Sequence, residues 1–204
     1  MIYNKHNLSI ANFCSKNQMK PELTGVFIEA DKTSATDSFI LIQVSTPKID
    51  IADFPTLPSG QKPKSNFQPF ILPANKAQEI EKNIPVKQSL LILENAVVIG
   101  QKKGVVEIAT TDLEEAKIAQ IHAIEGKYPE VKEILAEKGK YIEIILNPAF
   151  LAKIANYFKD FSKNPNITMK VPFSPYGEKN TPPIKFEAEN DGQTAIALLM
   201  PCQK

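Results

Sequence analysis

The sequence has 204 residues, of which 43% are hydrophobic and 23% are charged, and its formal net charge is +1 at pH 7. This length suits one large domain or one and a half small ones, with enough residues for a real core. A chain so close to neutral has no general attraction to nucleic acid, so any contact with DNA must come from the local placement of basic residues.

Residues 1–46 combine a weakly patterned opening with two strand-like runs. Apolar residues between positions 8 and 14 indicate one short helix, which ends before Pro21. β-branched and alternating residues then predict strands at 23–29 and 34–44, with the polar sequence EADKTS as the turn between them.

Residues 47–69 are rich in proline, with five prolines in 23 positions. Proline at this density prevents regular helix or sheet and predicts an extended linker. A docking segment for an aromatic groove is a second interpretation of the same composition.

A strand–helix–strands unit follows at 70–135. A strand at 70–72 leads into a helix at 73–83, whose buried side carries Ala77, Ile80 and Ile84. Apolar and alternating runs separated by turn residues predict the remaining strands, which are placed at 89–93, 96–101, 104–110 and 116–124.

Residues 136–204 have the same order of elements. A strand is predicted at 141–146, and Asn147 with Pro148 provides the N-cap and first position of a helix. Apolar residues recur at helical spacing from Phe150 to Phe161. Three further strands are predicted at 167–173, 184–188 and 194–200.

The chain contains an internal repeat. The sequence ILPANKAQEIEKNIP at 71–85 resembles ILNPAFLAKIANYFK at 145–159, which begins 74 positions later. This period is too long for a solenoid and indicates duplicated half-domains. We therefore predict a domain at 1–135, formed by half-domains 1–46 and 70–135 with linker 47–69 between them, and an additional half-domain at 136–204.

Short motifs in a fixed order carry a resemblance to a known family. They are LTGV at 23–26, ATD at 35–37 with Leu41, GKYPE at 126–130 and LMP at 199–201. In this order they resemble the DNA polymerase III beta subunit, the bacterial sliding clamp. The resemblance implies an α+β DNA-clamp fold, built from repeated strand–helix–strands half-domains with helices on one face and antiparallel sheets on the other.

The resemblance also implies a DNA-facing surface on the helices. Lysines on their polar faces would offer ammonium groups to phosphates without reading bases. An ordinary solvated face is the alternative, since acidic residues dilute the charge. The candidate DNA-binding residues are Lys76, Lys82, Lys153, Lys159 and Lys163.

A hydrophobic pocket for partner proteins is the second implied site. In this chain Ser38, Phe39 and Ile40 replace the family's Gly-His-Arg, and Cys202-Gln203-Lys204 stands where the family has an arginine, so conventional clamp-binding peptides are expected to bind weakly. Each candidate residue is equally explicable as ordinary packing. The residues nominated for the pocket are Thr36, Phe39, Leu41, Pro129, Ile134, Leu198, Met200 and Pro201.

Catalytic and metal chemistry have little support in the sequence. Neither His6 nor His122 has a partner at metal-ligand spacing, and Cys14 and Cys202 are predicted to be free thiols. We expect no cofactor, no metal and no enzymatic activity. The absence of a long apolar run and of a signal-like N-terminus predicts a cytoplasmic protein without membrane contact.

The sequence thus predicts a non-catalytic accessory of DNA replication or repair. It would encircle or cradle duplex DNA, tether a polymerase or other partner, and self-associate, because an odd number of half-domains leaves one without a mate. The alternative is a clamp-fold interaction module that no longer encircles DNA.

Overall fold

The computed structural model describes residues 2–64, 66–86, 90–135, 143–161, 166–172 and 182–202. The chain divides into two compact units, Met1–Ala136 and Glu137–Lys204, called unit 1 and unit 2 below. Each unit has its own core and is described by itself.

Unit 1 runs through two successive sets of elements. The first set is β1 (Ile2–Asn4), α1 (Lys5–Ser9), β2 (Gly25–Ile28), β3 (Lys32–Thr36) and β4 (Leu41–Ser45). The second set is β5 (Phe70–Pro73), α2 (Ala74–Asn83), β6 (Asn95–Lys102), β7 (Val105–Thr111), β8 (Ala116–His122) and α3 (Val131–Leu135). Short 3-10 turns lie at Ile10–Phe13, Pro21–Leu23, Ile51–Asp53 and Leu91–Leu93.

The strands of unit 1 form two four-stranded antiparallel sheets, ordered β1-β6-β7-β8 and β4-β3-β2-β5. The leading strand of each set pairs with the sheet of the other set. Tyr3 of β1 lies opposite Ala96 of β6, and Ile71 of β5 lies opposite Phe27 of β2. The two sets are therefore joined by a reciprocal exchange of strands.

One core cluster joins the helices to both sheets. It includes Leu8 from α1, Ile80 from α2, Val26 from one sheet and Val98 from the other, each 3% exposed or less. Helix α2 also contacts the 3-10 turn that follows α1, where Gln78 Nε2 donates a hydrogen bond of 2.9 Å to Asn12 Oδ1. The predicted α+β arrangement of helices against antiparallel sheets is confirmed.

The proline-rich segment 47–69, predicted as a linker, packs its apolar residues against unit 1. Phe54 and Leu57 are 5% and 2% exposed, and they pack on Val97 and Ile99 of β6. The segment thus covers the face of the β1-β6-β7-β8 sheet that the helices leave open. Its prolines exclude it from the sheet, while its apolar side chains provide that sheet with a second core.

The outer face of the β4-β3-β2-β5 sheet is covered by the segment that follows β8. The ring of Tyr128 stacks on Phe27, with ring centroids 4.8 Å apart. Tyr128 Oη also donates a hydrogen bond of 3.4 Å to the carbonyl of Ser34, and Val131 of α3 packs in the same cluster. The motif at 126–130 therefore acts as a cover for this sheet.

Unit 2 contains α4 (Pro148–Phe161), β9 (Thr168–Lys170), β10 (Ile184–Asn190) and β11 (Gln193–Leu199), with its described strands in the order β11-β10-β9. Asn147 caps α4 as predicted, because its Oδ1 accepts the backbone N–H of Ala149 at 2.9 Å. Phe158 is the fully buried anchor of α4 and packs on Ile184 and Phe186.

Several predicted elements differ from the structure. The strand predicted at 34–44 is a hairpin of β3 and β4, because the Asp37 carboxylate accepts the N–H groups of Phe39 and Ile40 and holds a turn. Leu91–Leu93 forms a 3-10 turn where a strand was expected. Residues 143–146 of the strand predicted at 141–146 are outside any assigned sheet.

Candidate DNA-facing helices and partner pocket

The lysines of α2 differ in their surroundings. Lys76 is partly shielded and forms an ion pair of 2.6 Å with Glu79, so its charge is compensated within the helix. Lys82 is exposed in the last turn of the helix, where a cation also interacts favourably with the helix dipole. Of these two lysines, Lys82 is the better placed to meet an external anion.

The structure brings two further lysines close to Lys82 that sequence reasoning missed. Lys5 of α1 and Lys117 of β8 line the same recess, which has a volume of about 360 Å³. Lys117 Nζ lies 3.4 Å from Asn83 Oδ1, next to Lys82 in the sequence. No local pattern marks these residues, because the three lysines come from separate elements. Asp112 and Glu115 also line the recess, so its charge is mixed.

The lysines of α4 belong to unit 2. Lys153 and Lys159 are exposed, and Lys153 Nζ lies 5.9 Å from the ring centroid of Phe150. Asp160 is also exposed and follows Lys159 directly. Lys163, the remaining candidate, lies outside the described residues.

Five of the residues predicted for the pocket lie in unit 1, and they differ widely in exposure. Thr36 is buried, and its Oγ1 accepts the N–H of Ser38 at 3.1 Å. Leu41 packs in the same cluster as Tyr128. Pro129 is half-buried, while Ile134 of α3 is 59% exposed. Burial raises the pKa of the Tyr128 hydroxyl. The partly buried Leu41 packs against the cluster that contains this side chain.

Phe39 stands at the tip of the β3–β4 hairpin and is 94% exposed. The preceding residue, Ser38, has φ 84°, a left-handed conformation that favours glycine. The resembled family has glycine at this position. The hydrogen bonds that Asp37 accepts, first from Ile40 and then from Phe39, lower the pKa of this carboxyl, so the turn is held by an ionised side chain. The hairpin therefore presents an aromatic ring on an ordered turn.

The other three predicted residues, Leu198, Met200 and Pro201, lie in unit 2. Leu198 and Met200 are 60% and 61% exposed, and Pro201 is half-buried. Because residues alternate across β11, Ile196 lies on the same face as Leu198 and is 57% exposed. Ile196 thus joins the predicted residues Leu198 and Met200, and the three form an exposed apolar stripe along β11 and the residue that follows it.

Other reactive groups are few within the described part of the chain. No group of three or more His, Cys, Asp or Glu side chains there could hold a metal ion. Cys14 is buried, and burial raises the pKa of its thiol to about 12, which makes it unreactive at neutral pH. None of the described helices is long and apolar enough to cross a membrane.

Comparison of the fold with solved structures finds sliding clamps. The Helicobacter pylori beta clamp bound to a DNA ligase peptide is 18% identical over the whole chain, with a TM-score of 0.64. The Bartonella birtlesii sliding clamp bound to griselimycin is 13% identical over the whole chain, also with a TM-score of 0.64. PCNA from Thermococcus kodakaraensis is 12% identical over 98% of the chain, with a TM-score of 0.59.

The chain has the sliding-clamp fold at low sequence identity to these structures, as its motifs predicted. It spans 51% of the Bartonella chain and 49% of the Helicobacter chain, and it spans 71% of the Thermococcus PCNA chain. No family model matches the sequence, and no curated protein matches it either.

Proposed function

We propose that this chain is a non-catalytic accessory of DNA replication or repair, which contacts duplex DNA through its helices and tethers a partner protein. The observation that carries the proposal is the match of the whole chain to half of a beta clamp, with α1 and α2 packed together against both sheets of unit 1. Encircling of the DNA is part of this proposal.

The charge pattern of unit 1 supports a contact with phosphates. Lys82 and Lys117 are exposed and line one recess together with Lys5. Ammonium groups bind phosphates as point charges and make no use of base identity, which is what a sequence-independent contact requires. The carboxylates of Asp112 and Glu115 at the same recess limit the strength of the contact.

A salt titration of duplex binding tests the contribution of these lysines. Each phosphate neutralised contributes about 0.9 to the slope of log affinity against log salt. We expect the double variant Lys82→Gln, Lys117→Gln to lower the measured slope by about 2 and to weaken binding at low salt. The control is Lys62→Gln, Lys127→Gln, which removes the same charge from the two covering segments. Equal losses in the two variants would refute the assignment of Lys82 and Lys117 to the contact with DNA.

A retention experiment tests whether DNA is encircled. The protein is loaded on nicked circular DNA, and its retention is compared before and after the circle is cut. A topological link predicts retention on the circle at salt concentrations that disrupt phosphate contacts, and rapid loss from the linear form. The same rate of loss from both forms would refute encircling.

A protein-interaction module without encircled DNA is the second candidate function. Its support is Phe39, a 94% exposed aromatic ring on an ordered hairpin, together with the exposed stripe on β11. Exposed aromatic anchors are typical of protein-binding surfaces. Two results together would favour this second function. The unaltered chain would show no measurable affinity for duplex DNA, and Phe39→Ala would lose binding to the partner protein.

A further inference from the structure

Two recesses of similar size adjoin in unit 1 and share one wall. The first is the recess beside Lys82 and Lys117, about 360 Å³ in volume, which is called the lysine recess below. The second has a volume of about 370 Å³ and is called the Asn95 recess, after the residue of β6 that lines it. A ligand that lies along the shared wall can occupy both. The residues that line both recesses are Lys5, Ile84, Pro85 and Val86.

The Asn95 recess has mainly apolar walls. Ile84, which follows α2, is buried, and its N–H donates to the carbonyls of Ile80 and Glu81, so this part of the wall is fixed. Leu91 begins the next 3-10 turn and is 73% exposed, so its side chain is accessible to a ligand. The volume falls within the range of about 300–1,000 Å³ that is usual for small-molecule sites. The other apolar residues of the lining are Pro47, Ile49, Pro85 and Val86.

A buried amide whose oxygen has no partner lines this recess. Asn95 is 2% exposed, and its Nδ2 donates to the carbonyls of Leu91 and Ile92, each at 3.0 Å. These two bonds hold the amide in place and use both of its N–H groups. Its Oδ1 accepts no hydrogen bond from the part of the chain that the structure describes. Buried acceptors are normally paired, so the recess is suited to a ligand that brings an N–H donor.

The lysine recess attracts an anion. Lys82 and Lys117 are exposed there, and Lys5 lies on the shared wall. The carboxylates of Asp112 and Glu115 line the same recess and oppose this attraction. Asp112 Oδ1 accepts the N–H of Glu115 at 2.8 Å, so this carboxylate is engaged by its own turn. Three ammonium groups against two carboxylates leave the recess positive, which favours an anionic group that contacts all three lysines.

The Asn95 recess disfavours an anion. Glu94 lines it, and its carboxylate repels a second negative charge placed beside it. Lys5 lies on the wall that leads to the lysine recess. An elongated ligand therefore places its apolar end, which carries the donor, beside Asn95 and its anionic end against the lysines.

We propose that the two recesses form one site for a nucleotide whose base carries an exocyclic amine, as adenine does. The base lies among the apolar side chains of the Asn95 recess and donates from its amine to Asn95 Oδ1. The phosphates lie against Lys5, Lys82 and Lys117. A flat ring, an N–H donor and an anionic tail are combined in this class of molecule. Proteins hold a single unstacked base in the same way, between apolar side chains and against hydrogen-bonding groups.

A free nucleotide and the unpaired last nucleotide of a DNA strand share this chemistry. The inference goes beyond the proposed function, because it concerns a pocket for one base and holds for a chain that does not contact duplex DNA. Lys82 and Lys117 serve either ligand, whereas Asn95 and Leu91 serve the base alone. Probes and variants that act on the base therefore separate this site from a general attraction to phosphate.

Calorimetric titration of the full chain, without DNA or divalent metal, tests the site with three probes. They are ATP, purine riboside triphosphate, which lacks only the amine, and inorganic triphosphate, which lacks the nucleoside. We expect ATP to bind, and the dissociation constant to rise about 10-fold without the amine, because the hydrogen bond to Asn95 Oδ1 is lost. Inorganic triphosphate is expected to bind more weakly still. Equal affinities for the three probes, or no binding of ATP, would overturn the inference.

Two variants test the two ends of the site separately. Leu91→Ala is expected to weaken ATP binding at least about 5-fold and to leave inorganic triphosphate unaffected, because the side chain contacts only the base. Its control is Leu135→Ala, an exposed leucine of α3. Lys5→Gln is expected to weaken both probes, with the exposed Lys20→Gln as control. If Leu91→Ala affects ATP no more than its control does, the base does not lie in the Asn95 recess and the inference fails.

Competition against bound ATP identifies the source of the nucleotide. A duplex with one unpaired terminal deoxyadenosine is compared with the blunt duplex of the same sequence. Displacement by the overhang at a concentration at least about 10-fold lower would assign the site to a DNA strand end, because only the overhang offers a free amine. Equal concentrations would assign it to a free nucleotide. Absence of ATP binding would leave the proposed contact with duplex DNA standing, since the salt titration of Lys82→Gln, Lys117→Gln measures that contact independently.

Discussion

The covering segment at 47–69 leads to the most direct prediction of stability. Leu57 is 2% exposed and packs in the cluster that includes Phe54, Val97 and Ile99. Replacement by alanine would remove buried methyl groups and leave a cavity between the segment and β6. Changes of this kind cost about 2–5 kcal/mol, and we expect about 2–3 kcal/mol here, because an irregular segment can move partly into the space.

Hydrogen exchange of the β6 and β7 amides in Leu57→Ala measures this loss, since those strands lie under the segment. The control is Met19→Ala, whose side chain is 87% exposed and whose removal is expected to change the free energy of opening by less than about 0.5 kcal/mol. If Leu57→Ala changes amide protection no more than the control does, the segment does not stabilise the sheet beneath it, and our description of it as a cover is wrong.

Three further predictions concern the hairpin and the thiols. Ser38→Gly should raise the thermal midpoint, because relief of the left-handed φ, about 1–2 kcal/mol, exceeds the entropy cost of glycine, about 0.5–1 kcal/mol; an unchanged or lower midpoint would contradict this. Because the pKa of Asp37 is lowered in the folded protein, the ionised carboxylate stabilises the turn at pH values above its unfolded pKa, and this stabilisation is lost as the pH falls through the folded pKa. The chemical shift of the Phe39 amide, which donates to Asp37, will report the titration. A shift that begins to change above the unfolded pKa would contradict a lowered pKa. Cys14 should resist a thiol reagent at pH 8 while Cys202 reacts, because Cys14 is buried with a pKa of about 12 and Cys202 is half-exposed. Equal reaction rates at the two cysteines would contradict the burial of Cys14.

Local signals in the sequence determined the regular elements of both units. The apolar spacing of α2 and α4 predicted these helices to within one or two residues, and Asn147 marked the start of α4 through its side chain alone. The alternating runs of β7, β10 and β11 were recognised for the same reason. Periodicity and capping depend on neighbours within a few positions, so they can be read without knowledge of the fold. The motif order also predicted the clamp fold that the comparisons show.

Tertiary structure decided the features that depend on distant partners. β1 has three residues and no pattern of its own, and it is a strand because β6 offers it an edge. Phe54 and Leu57 lie in a sequence that resembles a linker, and they are buried because β6 has an apolar outer face. The recess at Lys82 gathers lysines from three elements, which no spacing in the sequence connects. Strand edges, sheet faces and charge clusters exist only after the chain has folded, so their occupants cannot be read from local sequence.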